Sequence, residues 1–277
     1  MSCILVKKKS PCKPFFQKGF SLLEVMIALA VFIVLMVVTV NVVQNQRGYD
    51  YIVKNEHYMN QVKEAFMTFV KINHFLPCPD TDGDGQENRV GAECSFMRGT
   101  VPFLDLGVPA TDAWNQPLLY AVNERADGPN QGVREIHLPD QSASYFNNQS
   151  APVFDFNTLP IGQVGDGGLY RICGEMTPVV MGCSTATAPD RLFLEEFAIA
   201  VVVSFGENGS ATWNAINSNG TGASIGLNEA ETENMDRDQD YWQAVGSQRE
   251  GQRFDDQLFW LLGTDVKYAV ISSGGTL

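Results

Sequence analysis

The feature that most strongly constrains the fold of this chain is a long apolar run at residues 20–43. It follows a segment whose charged side chains are all basic. As a helix rising about 1.5 Å per residue, the run spans roughly 36 Å, enough to cross a hydrocarbon core about 30 Å thick. Its polar residues are Ser21, Glu24, Thr39 and Asn41. A secretory signal has a shorter apolar core followed by a small-residue cleavage site, which this run lacks. We therefore expect one membrane-spanning helix, with any cleavage before it.

The segment before the run indicates its direction in a membrane. It contains five basic residues and no acid: Lys7, Lys8, Lys9, Lys13 and Lys18. A flank rich in lysine stays on the cytoplasmic side of a bilayer. The sequence therefore predicts a single pass with the N-terminus in the cytoplasm and the remainder of the chain outside it.

Glu24 is an acid inside the apolar run. A carboxylate in hydrocarbon costs on the order of 2.5–3.5 kcal/mol, so a compensating partner is expected. If the chain is cut after Gly19, the new amine of Phe20 lies one helical turn from Glu24, on the same chain or on a neighbour packed in parallel. The alternative is that Glu24 only reaches the headgroup region as an interfacial acid.

The junction resembles the class III signal of type IV pilins and type II secretion pseudopilins. It reads Lys18-Gly19-Phe20-Ser21-Leu22-Leu23-Glu24, followed by Val25-Met26-Ile27-Ala28-Leu29. The resemblance implies cleavage between Gly19 and Phe20 by a prepilin peptidase, methylation of the Phe20 amine, and a role for Glu24 in registering subunits during assembly.

The same resemblance implies the partners and location of the chain. The expected partners are the prepilin peptidase/methyltransferase, other pilin or pseudopilin subunits, an inner-membrane assembly platform and membrane lipid. The expected location is the inner membrane, with the head in the periplasm, and then a pilus or pseudopilus that can reach the cell surface.

The residues after the span predict an α+β fold. Apolar residues at helical spacing, among them Ile52, Met59 and Phe66, indicate an amphipathic stalk helix at residues 44–76, which the prolines after it should stop. β-Rich runs at residues 118–122, 133–138, 169–173 and 197–205 predict strands, and the last is apolar enough to be central and buried on both faces. Long polar loops are expected at residues 140–150 and 214–234.

We therefore divide the chain into a leader at residues 1–19, a transmembrane and assembly helix at 20–43, a stalk helix at 44–76 and one head at 77–277. The pilin resemblance implies that the long helix packs on an antiparallel β-sheet in that head.

Four cysteines lie outside the leader, at Cys78, Cys94, Cys173 and Cys183. In an oxidising periplasm they are expected to form two disulfides. Short separations favour Cys78–Cys94 and Cys173–Cys183, although four cysteines allow three connectivities. A structural zinc site is the weaker alternative, because the spacings do not match paired C-x₂-C knuckles.

Residues 80–88 alternate acids with small residues and begin like a calcium loop. Asp80, Asp82, Asp84 and Gly85 match the first half of the EF-hand pattern, whereas the residue at position twelve is Gly91 and not Glu. The sequence predicts Ca²⁺ bound by Asp80, Asp82, Asp84 and Glu87, with Asn88, Glu93 or a backbone carbonyl as other ligands. The alternative is a solvated acidic turn.

Two further head segments are similar to pilin-type proteins. The stretch Asp112-Ala113-Trp114-Asn115-Gln116-Pro117-Leu118-Leu119-Tyr120 resembles a pseudopilin motif that usually has Gly at the Asn115 position, and its aromatic residues are expected to pack the sheet against the stalk. Residues 254–260 resemble a closing element of large pilin-type proteins. A third segment holds acids that we expect to form an exposed loop, with cation binding as the alternative: Glu231, Glu233, Asp236, Asp238 and Asp240.

Charge and motifs narrow the classes of function. The formal net charge is −13, and without the five leader lysines 14 basic residues remain against 32 acidic ones, which gives −18. Such an acidic chain is not expected to bind nucleic acid. Residues 222–226 match the letters of a G-x-S-x-G nucleophile elbow but follow no strand pattern, and no His comes after them, so no catalytic residue is expected.

The sequence thus favours a structural filament subunit, most simply a minor pilin or pseudopilin. A binding module or adhesin at a pilus tip is the second hypothesis, and a membrane-tethered periplasmic enzyme is the third.

Overall fold

The structure is a computed structural model that describes residues 21–122, 170–174, 192–218, 229–236, 240–243 and 254–275. The chain divides into two compact units, Met1–Tyr49 and Asp50–Leu277. The leader, the predicted strand at residues 133–138, the predicted loop at 140–150 and the G-x-S-x-G letters at 222–226 lie outside the described residues.

Helix α1 runs from Leu22 to Asn73, a length of 52 residues. In the first unit, the 19-residue stretch Leu22–Val40 is long and apolar enough to cross a membrane, and none of it is buried. In the second unit the predicted apolar stripe is confirmed, since Met59, Val62 and Phe66 belong to the core. The helix ends ahead of the expected stop at residue 76, because His74 adopts a left-handed backbone with φ of 68°.

The described strands form a two-stranded and a six-stranded sheet. β1 (Arg89–Val90) pairs with β2 (Glu93–Cys94). The larger sheet has the order β3-β4-β6-β5-β7, with β8 also paired to β6. Its strands are β3 (Arg98–Thr100), β4 (Leu119–Val122), β5 (Tyr170–Gly174), β6 (Leu192–Ser204), β7 (Asp240–Gln243) and β8 (Gln257–Leu262). All its pairs are antiparallel except the parallel pair β5–β7.

Strand β6 is the centre of the larger sheet, as the sequence predicts. It pairs with β4, β5 and β8, and every side chain from Ala198 to Val203 is fully buried. Ile199 and Val202 face a core shared with α1, whereas Val201 and Val203 face a second core. Burial on both faces accounts for the continuous apolar run in the sequence.

Four further α-helices follow α1 among the described residues, and a single 3₁₀ turn, Gly206–Asn208, precedes the second of them. The α-helices are α2 (Phe103–Leu106), α3 (Gly209–Ser218), α4 (Glu229–Met235) and α5 (Gly263–Ser272). Val266, Ala269 and Val270 of α5 join the core that contains α1. Ala215 of α3 and Met235 of α4 join the core on the other face of the sheet. The described part of the chain therefore has α+β architecture with helices over both faces of an antiparallel-dominated sheet.

The prediction of a long polar loop at residues 214–234 is wrong for the described part of that range. Helix α3 extends to Ser218, and α4 occupies Glu229–Met235. Burying a few apolar side chains, Ala215 and Met235 among them, against the sheet overrides a composition that is typical of loops.

Candidate functional sites

The N-terminus of α1 is closed by a reciprocal pair of hydrogen bonds. The Ser21 backbone N–H donates to Glu24 Oε2 over 2.9 Å, and the Glu24 N–H donates to Ser21 Oγ over 3.2 Å. This is a capping box, in which the acid also lies at the positive end of the helix dipole. The letters Ser-x-x-Glu signal such a cap, but the sequence analysis considered Glu24 only as a charge partner or as an interfacial acid. Glu24 therefore stabilises the start of the helix.

Gly19 and Phe20 lie outside the described residues, so cleavage after Gly19 and pairing of Glu24 with the Phe20 amine stay predictions.

Asp80 organises the acidic loop, which we define as residues 80–88. Its Oδ1 accepts the N–H groups of Asp82 and Gly83, and its Oδ2 accepts the Gly85 N–H over 2.8 Å. Asp80 is buried, and its backbone pairs with Thr100 next to the larger sheet. Only glycine fits at residue 85, because φ is +86° and an added Cβ would lie 2.5 Å from the Phe103 ring.

Three of the four predicted calcium ligands are brought together. Carboxylate oxygens of Asp80, Asp82 and Asp84 lie within 4.8 Å of one another. Glu87 is placed elsewhere: its Oε2 lies 2.8 Å from Arg89 Nη2 and accepts the Cys78 N–H. To act as a fourth ligand, Glu87 would have to break its ion pair with Arg89 and turn its carboxylate toward the cation.

The disulfide Cys78–Cys94 encloses the acidic loop. Both cysteines are buried, and their Cα atoms are 5.2 Å apart. This prediction is confirmed. Cys173 is also disulfide-bonded, whereas its expected partner Cys183 lies outside the described residues, so that pairing stays a prediction.

Asn55 connects the stalk part of α1 with several parts of the head. Its side chain is fully buried, donates to Ser204 Oγ and Gln257 Oε1, and accepts the Ala113 N–H. Ser204 in turn donates to Asp112 Oδ2 over 2.6 Å. Burial raises the pKa of the Asp112 carboxyl, and the hydrogen bond from Ser204 opposes this increase. The sequence analysis missed this network. A polar residue, Asn55, on the apolar side of the stalk helix was the signal that could have revealed it.

The motif at residues 112–120 packs against the stalk as expected. Trp114 stacks on Tyr51 with ring centroids 6.0 Å apart, and Tyr120 packs on Phe66 at 4.8 Å. The Tyr120 hydroxyl donates to the Pro77 carbonyl. The motif therefore joins the sheet to the stalk.

The second group of acids does not form the exposed loop that the sequence predicts. Glu231, Glu233 and Asp240 are only 2%, 8% and 5% exposed. Asp240 forms an ion pair with Arg171 over 2.6 Å. Helix α4 and strand β7 carry these acids inward because the apolar neighbours Met235 and Tyr241 enter the core. Asp238 lies outside the described residues.

Comparison with known proteins identifies a motif at the N-terminus of the chain. Residues 15–40 match the family model described as the prokaryotic N-terminal methylation motif. No curated protein and no solved structure matches the chain significantly. The matched segment contains the Gly19-Phe20 junction, the Ser21–Glu24 cap and the whole exposed apolar stretch of α1, Leu22–Val40. The motif and the apolar helix therefore support the type IV pilin and pseudopilin family for this chain and indicate a membrane-anchored, prepilin-type structural subunit.

Proposed function

We propose that the chain is a minor pilin or pseudopilin. It is cleaved after Gly19, methylated at the Phe20 amine and assembled through residues 20–43 into a type IV pilus or a type II secretion pseudopilus. The observation that carries this proposal is the methylation motif at residues 15–40 together with a helix whose apolar stretch, Leu22–Val40, is entirely exposed.

The exposed stretch supplies the energetic reason for assembly. Inside a membrane its side chains contact lipid, and in a filament they contact equivalent helices, so little apolar surface needs to meet water during the transfer. Glu24 gains a cationic partner in the same step if the Phe20 amine of a neighbour lies beside it. Filament growth would then be favoured without any catalytic turnover by this chain.

The large head supports a minor position within the filament. Most of the chain, from Asp50 onward, belongs to the second compact unit. A subunit with such a head is suited to a tip or to initiation. Gold labels placed on the head distinguish the roles, because a minor subunit is labelled at one filament end and a major subunit along the whole length. A head that binds a surface from the tip is the adhesin variant of the same proposal.

We include Ca²⁺ at the acidic loop in this proposal. Three aspartates converge there, and the disulfide Cys78–Cys94 holds the chain on both sides of them. Carboxylate oxygens are the ligands that Ca²⁺ prefers. A bound ion would stiffen a surface that contacts other subunits or an external ligand.

The N-terminus of the mature protein tests the processing step. Membranes are prepared from cells with and without prepilin peptidase, and the intact mass and first residue of the chain are determined. The proposal expects methylated Phe20 in the first case and Met1 in the second. A chain that still begins at Met1 in assembled filaments contradicts it.

Two substitutions separate the charge of Glu24 from its capping role. Gln can also occupy the third position of a capping box, so Glu24→Gln keeps the cap and removes the charge. Glu24→Ala removes both. The proposal expects both variants to fail in filament formation while still inserting into the membrane. Normal filaments from Glu24→Gln would show that only the cap matters and would refute the charge pairing.

A further inference from the structure

We propose that Glu231, Asp255 and Asp256 form a second, buried binding site for a hard divalent cation, with Ca²⁺ as its occupant. We call these three residues the buried acid cluster. They come from α4 and from the segment that leads into β8, and the turn Gly206–Asn208 lies beside them. The proposal concerns the head alone and is independent of filament assembly.

The geometry is that of a set of ligands. Each of the three residues contributes one carboxylate oxygen, and these three oxygens all lie within 4.8 Å of one another. The side chains are 2%, 5% and 7% exposed for Glu231, Asp255 and Asp256. Three ionised carboxylates so close together and so far from water repel one another and lose hydration. A divalent cation among them removes both costs.

Asp256 supplies an independent indication of a ligand. Its Oδ2 accepts a hydrogen bond from Asn234 Nδ2 over 2.9 Å. Its Oδ1 is shielded from solvent and has no hydrogen-bond partner within the described part of the chain. Asn234 is itself fixed, because it exchanges two hydrogen bonds with the backbone of Trp242. Asp256 is thus held firmly by one oxygen while the other remains available to a cation.

The turn Gly206–Asn208 completes the surroundings. Asn208 Nδ2 donates to Glu231 Oε1 over 2.9 Å, and Asn208 Oδ1 is a second shielded oxygen that has no hydrogen-bond partner among the described residues. The Glu207 N–H donates to Asp255 Oδ2. Gly206 has a φ of +62°, and an added Cβ would lie 2.5 Å from the Asp255 carboxylate. Glycine at this position lets the turn approach the cluster closely.

The ligand chemistry selects the class of cation. The available groups are carboxylate oxygens and an amide oxygen, which suit hard cations and not zinc or copper. Oxygens contributed by separate chain segments form an irregular shell, which Ca²⁺ accepts more readily than Mg²⁺ does. A cavity of about 360 Å³ is bordered by Asp255 and Asp256 and also by Ile52 and Glu56 of α1. It gives an ion a route to the carboxylates.

The experiment uses the full chain in detergent micelles, stripped of metal with EDTA and titrated calorimetrically with CaCl₂ or MgCl₂. To remove the contribution of the acidic loop, the starting protein carries Asp80→Asn, Asp82→Asn and Asp84→Asn. We expect this triple variant to bind one Ca²⁺ per chain, and to bind it more tightly than Mg²⁺. Addition of Asp256→Asn should weaken the Ca²⁺ affinity by about tenfold or more. Glu64→Gln, which changes an exposed acid on α1 outside the site, is the matched control and should leave the affinity unchanged.

Thermal unfolding gives a second test, because the proposal expects Asp256→Asn to change the melting temperature in opposite directions with and without Ca²⁺. In EDTA, Asp256→Asn should raise the melting temperature of the triple variant, because it removes a buried charge next to two others. In Ca²⁺ the same substitution should lower it, because it removes a ligand. Glu231→Gln should reproduce both effects if Asp256→Asn does not fold.

Three results overturn the proposal. The first is a triple variant that neither binds Ca²⁺ nor melts higher in its presence. The second is an equal effect of Asp256→Asn with and without Ca²⁺. The third is tighter binding of Mg²⁺ than of Ca²⁺, which contradicts the assignment to calcium.

Discussion

At the scale of single residues, Asn115 shows how a backbone angle restricts the choice of side chain. Its φ is 61°, inside the turn that the hydrogen bond from Asn115 N–H to the Asp112 carbonyl helps to close. The resembling pseudopilin motif usually has Gly here, and Asn is a residue that tolerates the left-handed region. The departure from the motif therefore preserves the turn.

Substitutions of Asn115 should follow this restriction. Asn115→Gly is expected to keep the stability of the head, whereas the β-branched Asn115→Val should lower the free energy of unfolding by about 1–2 kcal/mol. Denaturant unfolding followed by tryptophan fluorescence measures both variants, since all four tryptophans lie in the second unit. A Val variant as stable as the unmodified chain would contradict the argument.

Asp112 makes a prediction about pH. Burial raises its pKa in the folded state above the ordinary value, so the folded chain retains a proton that the unfolded chain releases. The stability that Asp112 contributes is therefore present in full below its ordinary pKa and decreases as the pH rises through the raised one. The difference in unfolding free energy between the unmodified chain and Asp112→Asn should become smaller from about pH 4 to pH 7. A difference that grows over this range would show that the sign is wrong.

At the scale of elements, the disulfide and the acidic loop form one structural unit. Cys78 and Cys94 close a loop with a sequence separation of 16, and the Asp80 backbone joins that loop to the larger sheet. Replacing both cysteines by Ser is expected to cost about 2–4 kcal/mol of unfolding free energy. The variant is compared with the unmodified chain in non-reducing conditions by denaturant unfolding. Equal stability would mean that the sheet alone holds the loop.

The acidic loop should respond to calcium. With the buried acid cluster disabled by Asp256→Asn, Ca²⁺ should still raise the melting temperature of the full chain, and Asp80→Asn, Asp82→Asn and Asp84→Asn should together remove that increase.

The substitution Glu87→Gln tests whether Glu87 is a calcium ligand or only the ion-pair partner of Arg89. If Glu87 is a ligand, this substitution weakens Ca²⁺ binding, whereas loss of its ion pair alone lowers stability equally with and without Ca²⁺.

Elements with a strong local pattern were predictable from the sequence, and those formed by tertiary contacts were not. The apolar stretch of α1 and the central strand β6 each occupy one continuous run of residues. Helices α3 and α4 carry polar sequences, and burial of Ala215 and Met235 against the sheet stabilises them. The buried acid cluster was hidden for a related reason, since Glu231 and Asp256 are distant in sequence and only the folded chain places them together.

At the scale of the whole molecule, the two compact units differ in where their apolar side chains lie. The apolar side chains of Leu22–Val40 are exposed, whereas the second unit encloses two apolar cores. We expect the full chain to resist alkaline extraction from membranes and to enter the detergent phase of a phase-separating detergent. A version that begins at Asp50 should remain in the aqueous phase. Recovery of the full chain in the aqueous phase would contradict membrane anchoring.

The hydrogen bonds of Asn55 have a consequence for how completely the head must fold. One buried amide is satisfied only when the segments containing Ala113, Ser204 and Gln257 have all reached their places. A chain that lacks any of them leaves a polar group stranded, at a cost of about 1–3 kcal/mol. The side chain thus destabilises incompletely folded forms of the head relative to the finished fold.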